Sequence, residues 1–424
     1  MIKRHYPSFH EEVLILKLKN GMQVHILPKE DPYYSTYVEL SIPYGALDLN
    51  YQVGDQTFET PYGTAHFLEH KVFAMPDGDA FAMFSKMGVD ANAMTSYNQT
   101  SYLFMATHHV TEALTYLLKM IDTHYVTHDN VESEKSIIAE ELKMYLDDPN
   151  VVMHNTLMEH LYFNHPIRYD IGGTLESIQR IDDQILNHVY DSFYQPSNRL
   201  IVMAGKVDVQ EMVSFFKTYD QENPIKHVKP KTRYPKEPKR VRVKYHVEKK
   251  PIGISKMMIG FKLDVKRLNP KEQIKREMAM AMMTQLLLGP SSSMFESLLR
   301  EGLINQQFSM STNIEKNAES ITLYAESNHI FKLKKRLVAF LTGEGEQALT
   351  EDAFNRYKKV FLGQFIYALN NVEHKAYLYG KYYHLGSNLF EVVDLLQEVT
   401  LLDAIAIYRE LTPQRLSILI YKKA

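Results

Sequence analysis

Apolar and polar residues alternate along VLILKLK (Val13–Lys19) and again along QVHILP (Gln23–Pro28), on either side of Asn20-Gly21. A period of two marks half-buried strands, and Asn-Gly tolerates the positive φ angles of a two-residue hairpin turn. The pair predicts a hairpin. YVELSIPYG continues as a third strand, ended by Pro43 and Gly45. The period then lengthens. HFLEH (66–70) follows Gly63-Thr64, so Thr64 is predicted to cap a helix that begins at Ala65. Downstream, SYLFMA is a short strand and VTEALTYLLKMIDTHY has apolar residues at helical spacing. ESEKSIIAEELKMYLDDP predicts a further helix, stopped at Asp147-Asp148-Pro149.

The pattern breaks between residues 220 and 240, where NPIKHVKPKTRYPKEPKR holds four prolines, many lysines and few large apolar side chains. That composition reads as a solvated linker. The two sides of it echo each other. YQPSNRLIVMAGKVD and ELTPQRLSILIYKKA each carry proline (Pro196, Pro413), then Arg-Leu, then a short apolar strand. TSYLFMATHHVTEALTYLLKM and SITLYAESNHIFKLKKRLVAFL are each a strand followed by an amphipathic helix. Two echoes in one order predict a duplicated α+β domain of about 210 residues. The division expected is 1–225, a linker at 226–240, and 241–424.

Composition narrows the function. The 424 residues are 45% hydrophobic and 23% charged, with a net charge of −3, so no whole-chain field favours nucleic acid. There is no cysteine, which excludes disulfides, thiol catalysis and zinc–thiolate sites; any metal must be held by His, Asp or Glu. MIKRHYPSFHEEV has no apolar run behind its basic start, and no stretch of about 18 apolar residues predicts a membrane span. The expectation is a cytoplasmic protein without a membrane anchor.

HFLEH sets two imidazoles and a carboxylate among apolar side chains, which is costly unless something satisfies them. On a helix, His66, Glu69 and His70 share one face. Two histidines at i and i+4 can reach one Zn²⁺, and H-x-x-E-H is the inverted zinc-protease motif. A third ligand is expected on a second helix. There Glu134 and Glu141, seven residues apart, share a face, and spacing alone does not separate Glu140 from Glu141.

HFLEH, NAMTSYNQTSYLF, EKSIIAEELKMYLDDP, NHPIRYDIGGTLESI and FYQPSNRLIVMAGKVD, in this order, resemble the pitrilysin/insulinase family of zinc metallopeptidases. The resemblance spans nearly the whole chain. It implies an α+β fold of two homologous α/β domains, each a mainly antiparallel sheet packed against helices, forming half of a clamshell peptidase. It implies one Zn²⁺ per chain on His66, His70 and Glu141, Glu69 as general base, and Glu134 in support. Zinc would lower the pKa of its bound water and Glu69 would take the proton.

Asn92 and Ala93 match the segment whose edge strand pairs with substrate backbone in relatives. In LGPSSSMFESLLREGLINQQFS, Arg300 matches the family's active-site arginine, whereas Asn305 stands where the family has tyrosine. The resemblance therefore implies a zinc-bearing chain acting on extended peptides. It also implies a homodimer, or a heterodimer with a related chain supplying an arginine–tyrosine pair. The alternative is a non-catalytic or partner-dependent structural subunit.

Overall fold

The computed structural model describes residues 1–30, 32–222 and 229–424. The chain forms two compact units that are not contiguous in sequence. Unit 1 comprises 1–144, 170–233 and 368–390; unit 2 comprises 145–169, 234–367 and 391–424. Of the expected linker 226–240, residues 226–228 lie outside the described residues.

The strands of unit 1 are β1 (Ile2–Tyr6), β2 (Glu11–Lys17), β3 (Gln23–Pro28), β4 (Thr36–Ile42), β5 (Asn50–Val53), β6 (Gln56–Glu59), β7 (Ala74–Met75), β8 (Gly78–Asp79), β9 (Asp90–Thr95), β10 (Thr100–Ala106), β11 (Leu200–Gly205) and β12 (Lys231–Thr232). Seven of them form one sheet in the order β1-β2-β3-β11-β4-β10-β9. Strand β4 is buried throughout, whereas β9, at the edge, alternates half-buried and exposed positions. One face of the sheet packs on α1 (Thr64–Val72), α2 (Ala80–Lys86) and α3 (Val110–Thr123) through a core that includes Phe67, Leu68, Phe84, Phe104 and Leu117.

In unit 2, β13 (Tyr245–Lys250), β14 (Lys256–Lys262), β15 (Ser309–Glu315), β16 (Ala318–Glu326) and β17 (Leu416–Lys423) form a sheet in the order β13-β17-β14-β16-β15. The first pair is parallel and the others antiparallel. The run β3-β11-β4-β10-β9 has the same order and the same directions. The echoes at Pro196 and Pro413 therefore introduce equivalent strands, β11 and β17. The duplicated α+β fold is real.

Each sheet is also covered by a helix drawn from the other half of the sequence. Helix Val372–Leu385 packs on β4 and β11 of unit 1. Helix α5 (Pro149–Leu161) packs on β14 and β17 of unit 2, where Leu157 and Leu161 press on Gly260.

Two local expectations change. The Asn20-Gly21 turn is longer than two residues: Leu18 N–H bonds Met22 carbonyl and Gly21 N–H bonds Leu18 carbonyl. Gly21 takes the left-handed position (φ 93°), and Asn20 Oδ1 accepts from Met22 N–H. This is the three-residue hairpin solution. The second correction is at Thr64, which is the first helical residue rather than the cap. Its hydroxyl donates back to Pro61 carbonyl at 2.7 Å. The cap position belongs to Gly63 (φ 86°), where a Cβ would lie 2.4 Å from Gly172 carbonyl oxygen. No helix is long and apolar enough to cross a membrane among the described residues.

Candidate metal centre

The residues singled out in HFLEH lie on α1 and the glutamates on α4 (His128–Leu146), and all of these residues belong to unit 1. Phe67, Leu68 and Val72 bury one side of α1 in the core, which leaves His66, Glu69 and His70 on its half-buried flank. On α4, Val131, Ile138 and Leu142 are buried and turn Glu134 and Glu141 toward α1. Glu140 goes elsewhere: it is 75% exposed and pairs with Lys143 at 2.7 Å. Geometry thus separates the two glutamates that spacing left level.

One ligand atom from each of His66, His70 and Glu141 lies within 4.8 Å of the others. Glu141 Oε2 stands 3.8 Å from His66 Nε2 and 3.6 Å from His70 Nε2. Both gaps are too long for good hydrogen bonds. Donors on a tetrahedral Zn²⁺, bonded at about 2.0–2.2 Å, stand roughly 3.4 Å apart. The two glutamate–histidine gaps are within a few tenths of an ångström of that spacing, and two imidazoles with one carboxylate is a donor set zinc takes. The group fits.

The neighbours orient these donors. His70 Nδ1 meets Glu134 Oε1 at 3.1 Å, which places the proton on Nδ1 and turns the Nε2 lone pair toward Glu141. Burial works against the charged imidazolium of His70. The Glu134 hydrogen bond and the charges of Glu134, Glu141 and Glu69 outweigh it and raise its pKa. His66 goes the other way, lowered by burial and by His70. Its Nδ1 is buried without a hydrogen-bond partner. Burial raises the pKa of Glu69, opposed by a hydrogen bond from Thr95 Oγ1 at the end of β9.

Asn92 and Ala93 lie within β9, paired to Leu103 and Tyr102 of β10, so Asn92 is not in a turn. Asn92 Oδ1 accepts from Ala93 N–H at 2.8 Å. Arg300 is exposed at the end of helix Ser293–Arg300 in unit 2. Asn305 donates to Glu326 Oε2 at 3.0 Å within that unit. The structure thus gathers His66, Glu69, His70, Glu134 and Glu141 at one place in unit 1, while Arg300 and Asn305 belong to unit 2.

Two residues escaped the reading of the sequence. Thr95 binds Glu69, and its signal lay only in its place as the last residue of β9, which periodicity does not single out. Lys71 binds Glu134; it is a lysine in the apolar stripe of α1, 3% exposed, and only its partner on α4 gives that position a meaning.

A duplicated α+β fold thus carries a two-histidine, one-glutamate cluster on paired helices, the kind of donor set a zinc peptidase uses. The sequence profile described as Insulinase (Peptidase family M16) matches residues 50–175, and that of the Peptidase M16 inactive domain matches 180–361. The chain is 33% identical over 422 residues to the uncharacterized zinc protease YmfH of Bacillus subtilis (strain 168), covering 97% of each. A solved structure described as that of an M16-like peptidase from Alicyclobacillus acidocaldarius superposes with a TM-score of 0.93 at 28% identity, over 100% of both chains. The periplasmic protease PqqL of Escherichia coli shares the fold at 16% identity and a TM-score of 0.74, over 96% of this chain and 47% of that one. The chain belongs to the pitrilysin/insulinase (M16) family of peptidases.

Proposed function

We propose that the chain is a zinc-dependent endopeptidase acting on extended peptides or short unfolded segments. The observation that carries this reading is the convergence of His66, His70 and Glu141 with Glu69 beside them. His66, His70 and Glu141 would hold one Zn²⁺, which supplies Lewis acidity at the scissile carbonyl and acidifies water. Glu69 takes a proton from the attacking water and returns it to the departing amine. Burial raises its pKa, which favours its accepting that proton. Thr95 holds one oxygen of Glu69, leaving the other for the water. Glu134 orients His70 through Nδ1.

Strand β9 is an open sheet edge on which an extended peptide can add as a further strand. The bond from Ala93 N–H to Asn92 Oδ1 is the kind of contact such a peptide would replace. Residues 1–225 would then be the catalytic half and 241–424 the half that supports substrate.

A second reading, a partner-dependent subunit, is favoured by one observation. Asn305, where the family resemblance implies a tyrosine, is engaged with Glu326. A related chain, or a second copy, would supply the missing donor, whose loss typically costs a hundred-fold or more in rate.

Metal analysis with a paired variant tests the proposal. The purified chain should carry about one zinc per chain, and Glu69→Gln should keep it while lowering kcat by at least ~100-fold. A wild-type chain without zinc, or a Glu69→Gln variant that still cleaves peptides, refutes it.

A further inference from the structure

The geometry points to Lys71 as a positioning residue of the metal centre, acting through Glu134; this rests on the zinc reading above. Lys71 follows His70 on α1 but faces inward among Phe67, Leu68 and Val72, and is 3% exposed. Its Nζ donates to Glu134 Oε2 at 3.1 Å and to Asn130 carbonyl, one turn earlier on α4, also at 3.1 Å. Glu134 Oε1 meets His70 Nδ1 at 3.1 Å. Two consecutive residues of α1 thus engage the two oxygens of one carboxylate from the same side of α4.

Packing alone does not call for this arrangement. A buried ammonium is expensive to desolvate, and a leucine or methionine would fill the stripe at lower cost. The charge does what an apolar side chain cannot. It compensates Glu134 on the side away from the metal ligands and fixes Oε1 in line with Nδ1, so that His70 Nε2 keeps its lone pair on the axis toward Glu141. Without Lys71, Glu134 is an uncompensated carboxylate beside two more, Glu69 and Glu141, and it turns toward solvent or toward the donors themselves.

The bland rival is that Lys71 only ties α1 to α4. A double-variant cycle on the full chain separates the two, read as zinc affinity by competition with a chromogenic chelator. Lys71→Gln should weaken zinc about 10–100-fold, the usual effect of removing an outer partner of a metal-binding histidine. Glu134→Gln keeps a neutral acceptor for Nδ1–H and should weaken it as well. The K71Q/E134Q double variant should bind no more weakly than E134Q, because no charge remains to be positioned.

Zinc affinity of K71Q within twofold of wild type overturns the inference, as do losses that multiply in the double variant. If K71Q alone does not fold, E134Q against K71Q/E134Q carries the test, with equal affinities expected and a tenfold gap overturning it. Wild-type zinc affinity unchanged by His66→Ala overturns this inference together with the metallopeptidase reading, whereas the other outcomes touch Lys71 alone.

Discussion

Glu140 and Glu141 show how little separates a candidate ligand from a surface charge: one peptide bond, and about 100° around a helix. The face is decided by Ile138 and Leu142, which are buried and rotate Glu141 toward the histidines. Glu140 is left with Lys143, an exposed i,i+3 pair worth a few tenths of a kcal/mol at most. Glu141→Ala is expected to weaken zinc binding by more than roughly 100-fold, beyond what an outer partner costs. Glu140→Ala is expected to leave it within twofold. Chelator competition on the two variants checks this, and equal losses would reverse the assignment. The pair of histidines was legible from spacing alone, as was the helix that must answer them. The second glutamate was not, because its choice depends on which apolar neighbours find the core. Lys71 was missed for the opposite reason: charge in an apolar stripe reads as noise until its partner on another helix is seen.

At the scale of elements, the strands were the most legible. Alternation along Val13–Pro28 and the apolar run of β4 follow from burial of one face or both. What no local pattern announced is the cover on the second face of the unit 1 sheet. Helix Val372–Leu385 lies there, and its contacts are polar: Tyr379 Oη to His25 Nδ1 at 2.8 Å, His384 Nε2 to Ser41 Oγ at 2.7 Å, Lys375 Nζ to Glu11 Oε1 at 2.6 Å. Polar residues in β3 and β4 disguised a buried face as a wet one. Glu39, in β4, is the extreme case. It is fully buried and accepts from Ser101 Oγ at 2.7 Å. Burial pushes its pKa up to about 7, against the Ser101 bond and with help from Glu373.

A carboxyl whose folded pKa is raised binds its proton more tightly in the native state. Its contribution to stability is complete below about pH 4.5 and is lost as pH rises through 7. Glu39→Gln keeps the acceptor for Ser101 without the charge. It is expected to be nearly neutral at pH 5 and to stabilise the fold at pH 8 by on the order of 3 kcal/mol. Thermal melts of both proteins at the two pH values test this; a gap that does not widen with pH contradicts it.

For the molecule as a whole, the matched strand orders of the two sheets give the duplication that two short sequence echoes hinted at. The second half retains the architecture and not the cluster: among the described residues, His66, His70 and Glu141 form the group able to hold a metal. Removing zinc is therefore expected to abolish hydrolysis while leaving the second sheet intact. Chelator treatment followed by hydrogen exchange should show faster exchange in α1 and α4 and little change in β14, β16 and β17. Uniform loosening of both units would count against this.

The exchanged helices carry a further consequence. The backbone leaves unit 1 three residues after Glu141, contributes α5 to unit 2, and returns at Asp170 beside His66; it comes back once more with Val372–Leu385. Severing the polypeptide near residue 230 would thus strip each fragment of a roof and hand it a stray one. The halves are laced rather than strung, and a genetic dissection of this chain into autonomous parts should yield two insoluble pieces that recover order when co-expressed.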